Sequence, residues 1–391
     1  MAATVISPVQ LILPETIVER AWISFENGTI TDFATGPAPH SDRPVDGLGL
    51  FLAPGFIDTH VHGGNGADFL DATPEAFSTI VDYHLSQGTT VLCPTLATTT
   101  YERIGAVLDV WSKIKGACTA RILPVHLEGP HLAAAKAGAQ DPKLLRSPTE
   151  IDIAWLVKNA ARIGQMTIAP ELPNALQLIQ RCRDAGIIMS AGHTEAREES
   201  VAASISRGLS KITHLFNAMT FAAKSGLFRQ PGLAEYALIE DRLACELIAD
   251  GFHVSTTLMK LAVRSKGPCR LALISDALAG TGLPVGSTFM LGSLPCRVAH
   301  GFCELGDGSA LAGSATTLID QVRIMHQTVN VSIVDAVRMA THTPASLLGL
   351  ENRYGSIARG NMADFVQFDG EFRVHGVWIG GRRISPYPMP E

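Results

Sequence analysis

The middle of the chain alternates two hydrophobic rhythms. Short apolar runs recur: 55-GFIDTHV-61, 90-TVLCPT-95, 121-RILPVHLE-128, 166-MTIAP-170, 187-IIMSAGH-193, 211-KITHLF-216, 243-LACELIAD-250 and 271-LALISDA-277. Runs of this length without strict alternation match parallel strands buried on both faces. Between them the spacing becomes helical. In 73-TPEAFSTIVDYHLSQG-88, Phe77, Ile80, Val81, His84 and Leu85 fall on one face. Thr73 suits an N-cap, Pro74 the first helical position and Gly88 the C-terminal stop. Residues 175–186 and 198–208 repeat the pattern. Eight apolar runs with interleaved helices predict an α/β fold, a (β/α)8 barrel rather than a doubly wound sheet.

The two ends read differently. The segments 9-VQLIL-13 and 21-AWISFENGTITDF-33 have strand character, and Asn27-Gly28 between apolar alternations is a hairpin signal. Residues 355–370 and 372–384 share this texture. They predict one small β domain, formed by residues 1–52 and 354–391, beside a barrel spanning 53–353. The Gly-rich segment 280–312 predicts a hairpin excursion after the last strand.

Composition narrows the function classes. Of 391 residues, 46% are hydrophobic and 17% charged, which favours a compact body over a disordered chain. A net charge of −6 provides no global positive field for nucleic acid or anionic lipid, though a local cationic site for a small anion stays open. The seven cysteines show no CxxC spacing, which fits reduced thiols and a cytoplasmic location. Neither a signal-peptide pattern nor an apolar run of roughly 18 residues is present, so no membrane association is expected.

A barrel gathers its active site at the C-terminal ends of its strands. The first run ends in His60 and His62, the third in Glu128 and the fifth in His193; the sixth contains His214 and the eighth ends in Asp276. Each has a plain alternative. His60 and His62 share one strand face and could be structural, and Glu128 could pair with an arginine. His193 could cap a helix, His214 could sit in the core on a carbonyl, and Asp276 could cap a turn. All of them at one rim points instead to a metal centre. Neutral imidazoles and carboxylates suit a borderline divalent ion, zinc foremost, with iron, manganese or cobalt open. Two ions would share Glu128, one with His60, His62 and Asp276, the other with His193 and His214; one ion or two stays open.

The segments 54-PGFIDTHVHGG-64, 126-HLEGPHL-132, 192-GHT-194, 213-THLFNAM-219, 250-DGFHV-254, 275-SDA-277 and 311-LAGS-314 carry a family resemblance. In this order they resemble the amidohydrolase superfamily, and within it the deacetylases of amino-sugar 6-phosphates. That resemblance implies a barrel with a small β-sandwich domain made by both termini. It implies hydrolysis of the N-acetyl group of N-acetylglucosamine 6-phosphate, giving glucosamine 6-phosphate and acetate, with Asp276 as general base and acid. Glu128, His193 and His214 match the ligands of the ion that all members keep, and His60 and His62 match those of a second ion found in some. Asn217 and the Ala218 amide match positions that hold the sugar phosphate. Arg229 and His253 match a phosphate grip contributed across the interface of a homodimer. One position departs: in 138-GAQDP-142, Gln140 stands where the family usually has a histidine that polarises the acetyl carbonyl. Gln140 is expected to orient that carbonyl more weakly or to shift the acyl preference, unless it faces solvent. Other readings are deacylation of N-acetylgalactosamine 6-phosphate or of another N-acyl group, and a non-catalytic scaffold.

Overall fold

The computed structural model describes residues 3–384, so 1–2 and 385–391 of the expected small domain lie outside the described residues. Eight parallel strands in chain order form the barrel wall: Phe56–Val61, Thr89–Leu96, Val125–Glu128, Ile163–Ile168, Ile188–Ala191, Leu209–Ile212, Ala244–Leu247 and Leu271–Leu273. The seam between the first and last strands closes at the C-terminal rim. There Asp276 N donates to His60 O at 2.9 Å, and His62 N donates to Ala277 O at 2.9 Å. Helices pack outside the wall. The helix Pro74–Ser86 is capped by Thr73 Oγ1, which accepts from Ala76 N, and buries Phe77, Ile80, Val81, His84 and Leu85 against the strands.

The strands stop earlier than the apolar runs do. His214 lies two residues beyond the strand Leu209–Ile212 rather than inside it, and His193 and Asp276 also follow their strands. The reason is backbone conformation. His193, His214, Ala218 and Asp276 all have left-handed φ, at 48°, 32°, 47° and 46°. The apolar run continues into these loops because they pack over the barrel mouth, so hydrophobicity does not mark the turn. The third run is split at Leu123-Pro124 into Arg121–Ile122 and Val125–Glu128, as proline lacks a donor for the ladder.

Both chain ends contribute to a separate eight-stranded sheet. Thr4–Ile12 and Phe51–Pro54 lie at its centre, flanked by Phe365–Phe368 on one side and Ile17–Glu26 on the other. Asn27 and Gly28 turn with φ of 51° and 83°, a pair that joins two strands tightly, and Phe25 opposes Ile30 across the turn. This sheet has its own core around Ile6, Leu11, Ile23, Phe365 and Trp378. The segment expected as a hairpin excursion is a four-stranded antiparallel sheet of Thr288–Leu291, Leu294–Val298, Phe302–Leu305 and Leu311–Ser314. Gly292, Gly301 and Gly308 lie in its successive turns, each at positive φ. No helix among the described residues is long and apolar enough to cross a membrane.

Candidate metal centre

His60 near the end of the first barrel strand and His62, one residue past it, keep the strand's alternation, and both are buried. Their Nε2 atoms approach to 3.2 Å, and each lies within 3.4 Å of Asp276 Oδ1. His193 and His214 form the second half. Their Nε2 atoms stand 3.1 Å apart, and both face Glu128 Oε1, at 3.1 and 3.0 Å. Glu128 joins the halves, because its Oε2 lies 3.3 Å from His62 Nε2. His60, His62 and Asp276 thus form one buried group that could hold a metal ion, and Glu128, His193 and His214 form another.

The donor chemistry fits divalent cations. Two pairs of imidazole nitrogens point at each other, and each neutral ring has only one proton to give. Electrostatics agrees. Burial opposes ionisation of Glu128, yet the charge and hydrogen bonds of His60, His193 and His214 hold its carboxyl well below the usual range. Burial likewise opposes Asp276, but His60 and His62 bring it down to about 2. Burial presses the His62 imidazole down, while Asp276 and Glu128 lift it to about 9. Such a field stabilises positive charge.

The cavity above the cluster collects most of the substrate residues expected from the sequence. Gln140, Asn217, Ala218 and His253 line it together with His62, Asp276, Glu128, His193 and His214. Gln140 does not face solvent. Its Nε2 donates to Glu128 Oε2 at 2.7 Å, and its Oε1 accepts from Thr98 N at 2.6 Å. One amide hydrogen is left for another acceptor. His253 is held by Asp250, with Nδ1 2.6 Å from Oδ2.

Arg229 is not brought to this cavity. It lies on the exposed hairpin of Ala223–Ser225 and Phe228–Gln230. The expectation that His253 arrives from a neighbouring subunit is corrected. It stands in the wall of its own chain's cavity, because Asp250 fixes the turn after the seventh strand. His131 bridges Tyr101 Oη and the Arg146 carbonyl and is structural.

The sequence reading missed Lys211 and Glu246, a buried ion pair beneath the cluster with Nζ and Oε1 2.7 Å apart. A signal existed: each is a charged residue inside a short apolar strand, in 209-LSKI-212 and 244-ACEL-247. Thr98 was missed as well; its hydroxyl donates to the Glu128 carbonyl at 3.2 Å.

Comparison with known proteins agrees with this geometry. The profile of the Amidohydrolase family matches residues 51–384. The N-acetylglucosamine-6-phosphate deacetylase of Vibrio furnissii is 33% identical over 368 residues, covering 92% of this chain and 89% of that protein. The N-acetylgalactosamine-6-phosphate deacetylase of Shewanella sp. (strain ANA-3) is 34% identical over 362 residues, covering 91% and 88%. A Mycobacterium smegmatis N-acetyl-D-glucosamine-6-phosphate deacetylase, solved as a mutant with N-acetyl-D-glucosamine-6-phosphate, superposes with a TM-score of 0.90. Identity there is 29%, with 98% of this chain and 99% of that one covered. A barrel with two buried groups of metal-type side chains at its C-terminal rim, matched by this profile over most of its length, places the chain in the amidohydrolase family, which implies a divalent metal.

Proposed function

We propose that this chain hydrolyses the N-acetyl group of N-acetylglucosamine 6-phosphate, releasing acetate and leaving glucosamine 6-phosphate. The observation that carries it is the pair of buried groups joined through Glu128 at the floor of a cavity lined by Asn217, Ala218 and His253. Relatives aligned over about nine-tenths of the chain bear that activity in their names. In this reading His60, His62 and Asp276 hold one ion, and His193 and His214 a second, with Glu128 between them; zinc is the favoured metal.

A divalent cation there supplies Lewis acidity, making water nucleophilic near neutral pH and stabilising an oxyanion. The chain's own groups do the rest. Asp276, held ionised, accepts a proton from the attacking water and returns it to the nitrogen as the amide C–N bond breaks. Its carboxylate lies at the cavity floor beside His60 and His62, where that water is needed. Gln140 directs its remaining amide hydrogen at the acetyl carbonyl while its other bond steadies Glu128. Asn217 and the Ala218 amide hold the sugar phosphate, with His253 as a cationic partner. Burial lowers the basicity of His253, but Asp250 outweighs it and raises the pKa above the ordinary value. Arg229 reaches the phosphate from the second copy of a homodimer, since its own hairpin stands away from its own cavity. A planar guanidinium fork suits that ligand. The reading places the enzyme in the cytoplasm.

The decisive assay measures acetate release by metal-loaded protein, with metal content determined on the same sample. N-acetylglucosamine 6-phosphate should be turned over far faster than N-acetylgalactosamine 6-phosphate or unphosphorylated N-acetylglucosamine. Preference for the galacto sugar would move the substrate assignment, and no acetate from any of them would overturn the reaction.

A further inference from the structure

Two formal charges are buried in the barrel interior beneath the cluster. Lys211 on the sixth barrel strand is 3% exposed and Glu246 on the seventh 0%. Lys211 Nζ donates to Glu246 Oε1 at 2.7 Å and also to Gln165 Oε1. The Gln165 amide in turn donates to the Thr59 carbonyl at 3.2 Å. The Thr59 hydroxyl donates to the same Glu246 Oε1 at 2.9 Å. One carboxylate oxygen is therefore held from two sides, which sets the plane of the group. The other oxygen, Oε2, faces His60 Nδ1 at 3.4 Å.

Fold stability does not account for this pair. Barrel interiors are filled mainly by branched apolar side chains. Taking an ammonium and a carboxylate out of water is costly, and apolar residues of similar volume often serve stability as well or better. The reason lies in what the pair touches, and it touches His60.

A neutral imidazole carries one ring proton, and an acceptor at Nδ1 draws it there, leaving the Nε2 lone pair free for a ligand. His60 Nε2 is the atom that faces His62 and Asp276. The other imidazoles of the cluster have no such carboxylate at Nδ1. His193 Nδ1 meets the Lys136 carbonyl at 2.8 Å, and the Nδ1 atoms of His62 and His214 have no hydrogen-bond partner among the described residues. His126 lies edge-on to His60, but its nitrogens face the Thr95 and Thr167 hydroxyls and do not compete for Glu246.

We propose that Glu246, fixed by Lys211 and Thr59, is a positioning residue for His60. It holds the Nδ1–H tautomer and so readies Nε2 for a cation at the His60–His62–Asp276 half of the site. Lys211 offsets the charge of Glu246, so the carboxylate orients His60 without adding net negative charge beneath the cluster. The inference rests on the two-cation reading above.

The test loads the purified full chain with Zn²⁺ and reads stoichiometry by elemental analysis and affinity by chelator competition. Wild type is expected to bind two ions. Glu246→Gln should weaken one of them by about 10–100-fold and spare the other. Because Glu246→Gln strands a buried ammonium, Lys211→Met/Glu246→Gln removes both charges together and carries the same expectation. In a His60→Ala background, Glu246→Gln should weaken binding no further, and nitrogen NMR should show His60 protonated at Nδ1 only when Glu246 is present. Equal affinities for both ions in wild type and both Glu246 variants overturn the role of Glu246 and leave the two-cation reading standing. A single ion in wild type, lost in Glu128→Gln but indifferent to His60→Ala, overturns the two-cation reading and this inference with it.

Discussion

Gln140 stands where a single side chain reaches both the cavity and the carboxylate between the two halves of the cluster. It is buried against Glu128 and Thr98, so its substitution alters the carboxylate between the two halves as well as any contact with substrate. A histidine at this position can carry positive charge, and a glutamine amide cannot. Gln140→His is therefore expected to change kcat or the acyl preference. Removing one oxyanion donor costs roughly 10²–10³ in rate, which bounds the effect. Identical kinetics across acyl-sugar 6-phosphates for Gln140→His and the parent would sink this role. His253 supports a pH prediction. With its pKa raised in the folded protein, it is charged below that value and loses its charge as pH rises through it. KM for the phosphorylated sugar should climb with pH above about 6.5, and His253→Gln should flatten the climb. A profile unaltered in His253→Gln would remove His253 from phosphate binding.

At the scale of elements, loops do the chemistry and strands aim them. Several site residues occupy the first few positions after a strand, where positive φ turns the chain across the barrel mouth. The helix Glu150–Lys158 shows how the outer layer is anchored near one of these loops. Its N-cap Thr149 and Asp152 form a reciprocal capping box, and Arg146 donates twice to the same carboxylate, at 3.0 and 2.7 Å. Burial raises the Asp152 carboxyl, but Thr149 and Arg146 outweigh it, so its pKa lies below the ordinary value. A depressed carboxylate stabilises the fold above its unfolded pKa, and that contribution is lost as pH falls through the folded value. Asp152→Asn should therefore cost about 1 kcal/mol at pH 7, the scale of a lost cap. The difference from wild type in denaturant titrations should shrink below about pH 4. A deficit that is constant from pH 7 to pH 3 would show that the charge is irrelevant.

At the scale of the whole molecule, Arg229 separates a monomeric from a dimeric account of the site. Its hairpin is exposed, and neighbouring Leu227 and Phe228 are 88% and 71% exposed, an apolar surface suited to another copy of the chain. Arg229→Ala and Asp276→Asn should each be nearly inactive as pure proteins. If Arg229 acts in the neighbouring copy, mixing the two variants under exchange conditions should restore activity, because one site of each mixed dimer then has both residues. No recovery from a verified mixed dimer would show that Arg229 does not serve the site of the neighbouring copy.

Much of this molecule was legible in its order of residues. Eight apolar runs marked eight barrel strands, because burial on both faces of a parallel sheet leaves a local hydrophobic record. The histidines and carboxylates at the ends of those runs are the side chains that the fold gathers into two buried groups able to hold a metal ion. Local pattern did not reveal where each strand stops, since the loops over the barrel mouth are as apolar as the strands. It also could not tell that Gln140 turns toward Glu128, or that Lys211 and Glu246 meet on adjacent strands beneath His60. The periodicity of a chain records whether a side chain is buried. Which buried groups face one another is decided by strand order, stagger and the closing of the barrel between residues 60 and 276, and these are long-range features that only the tertiary structure holds.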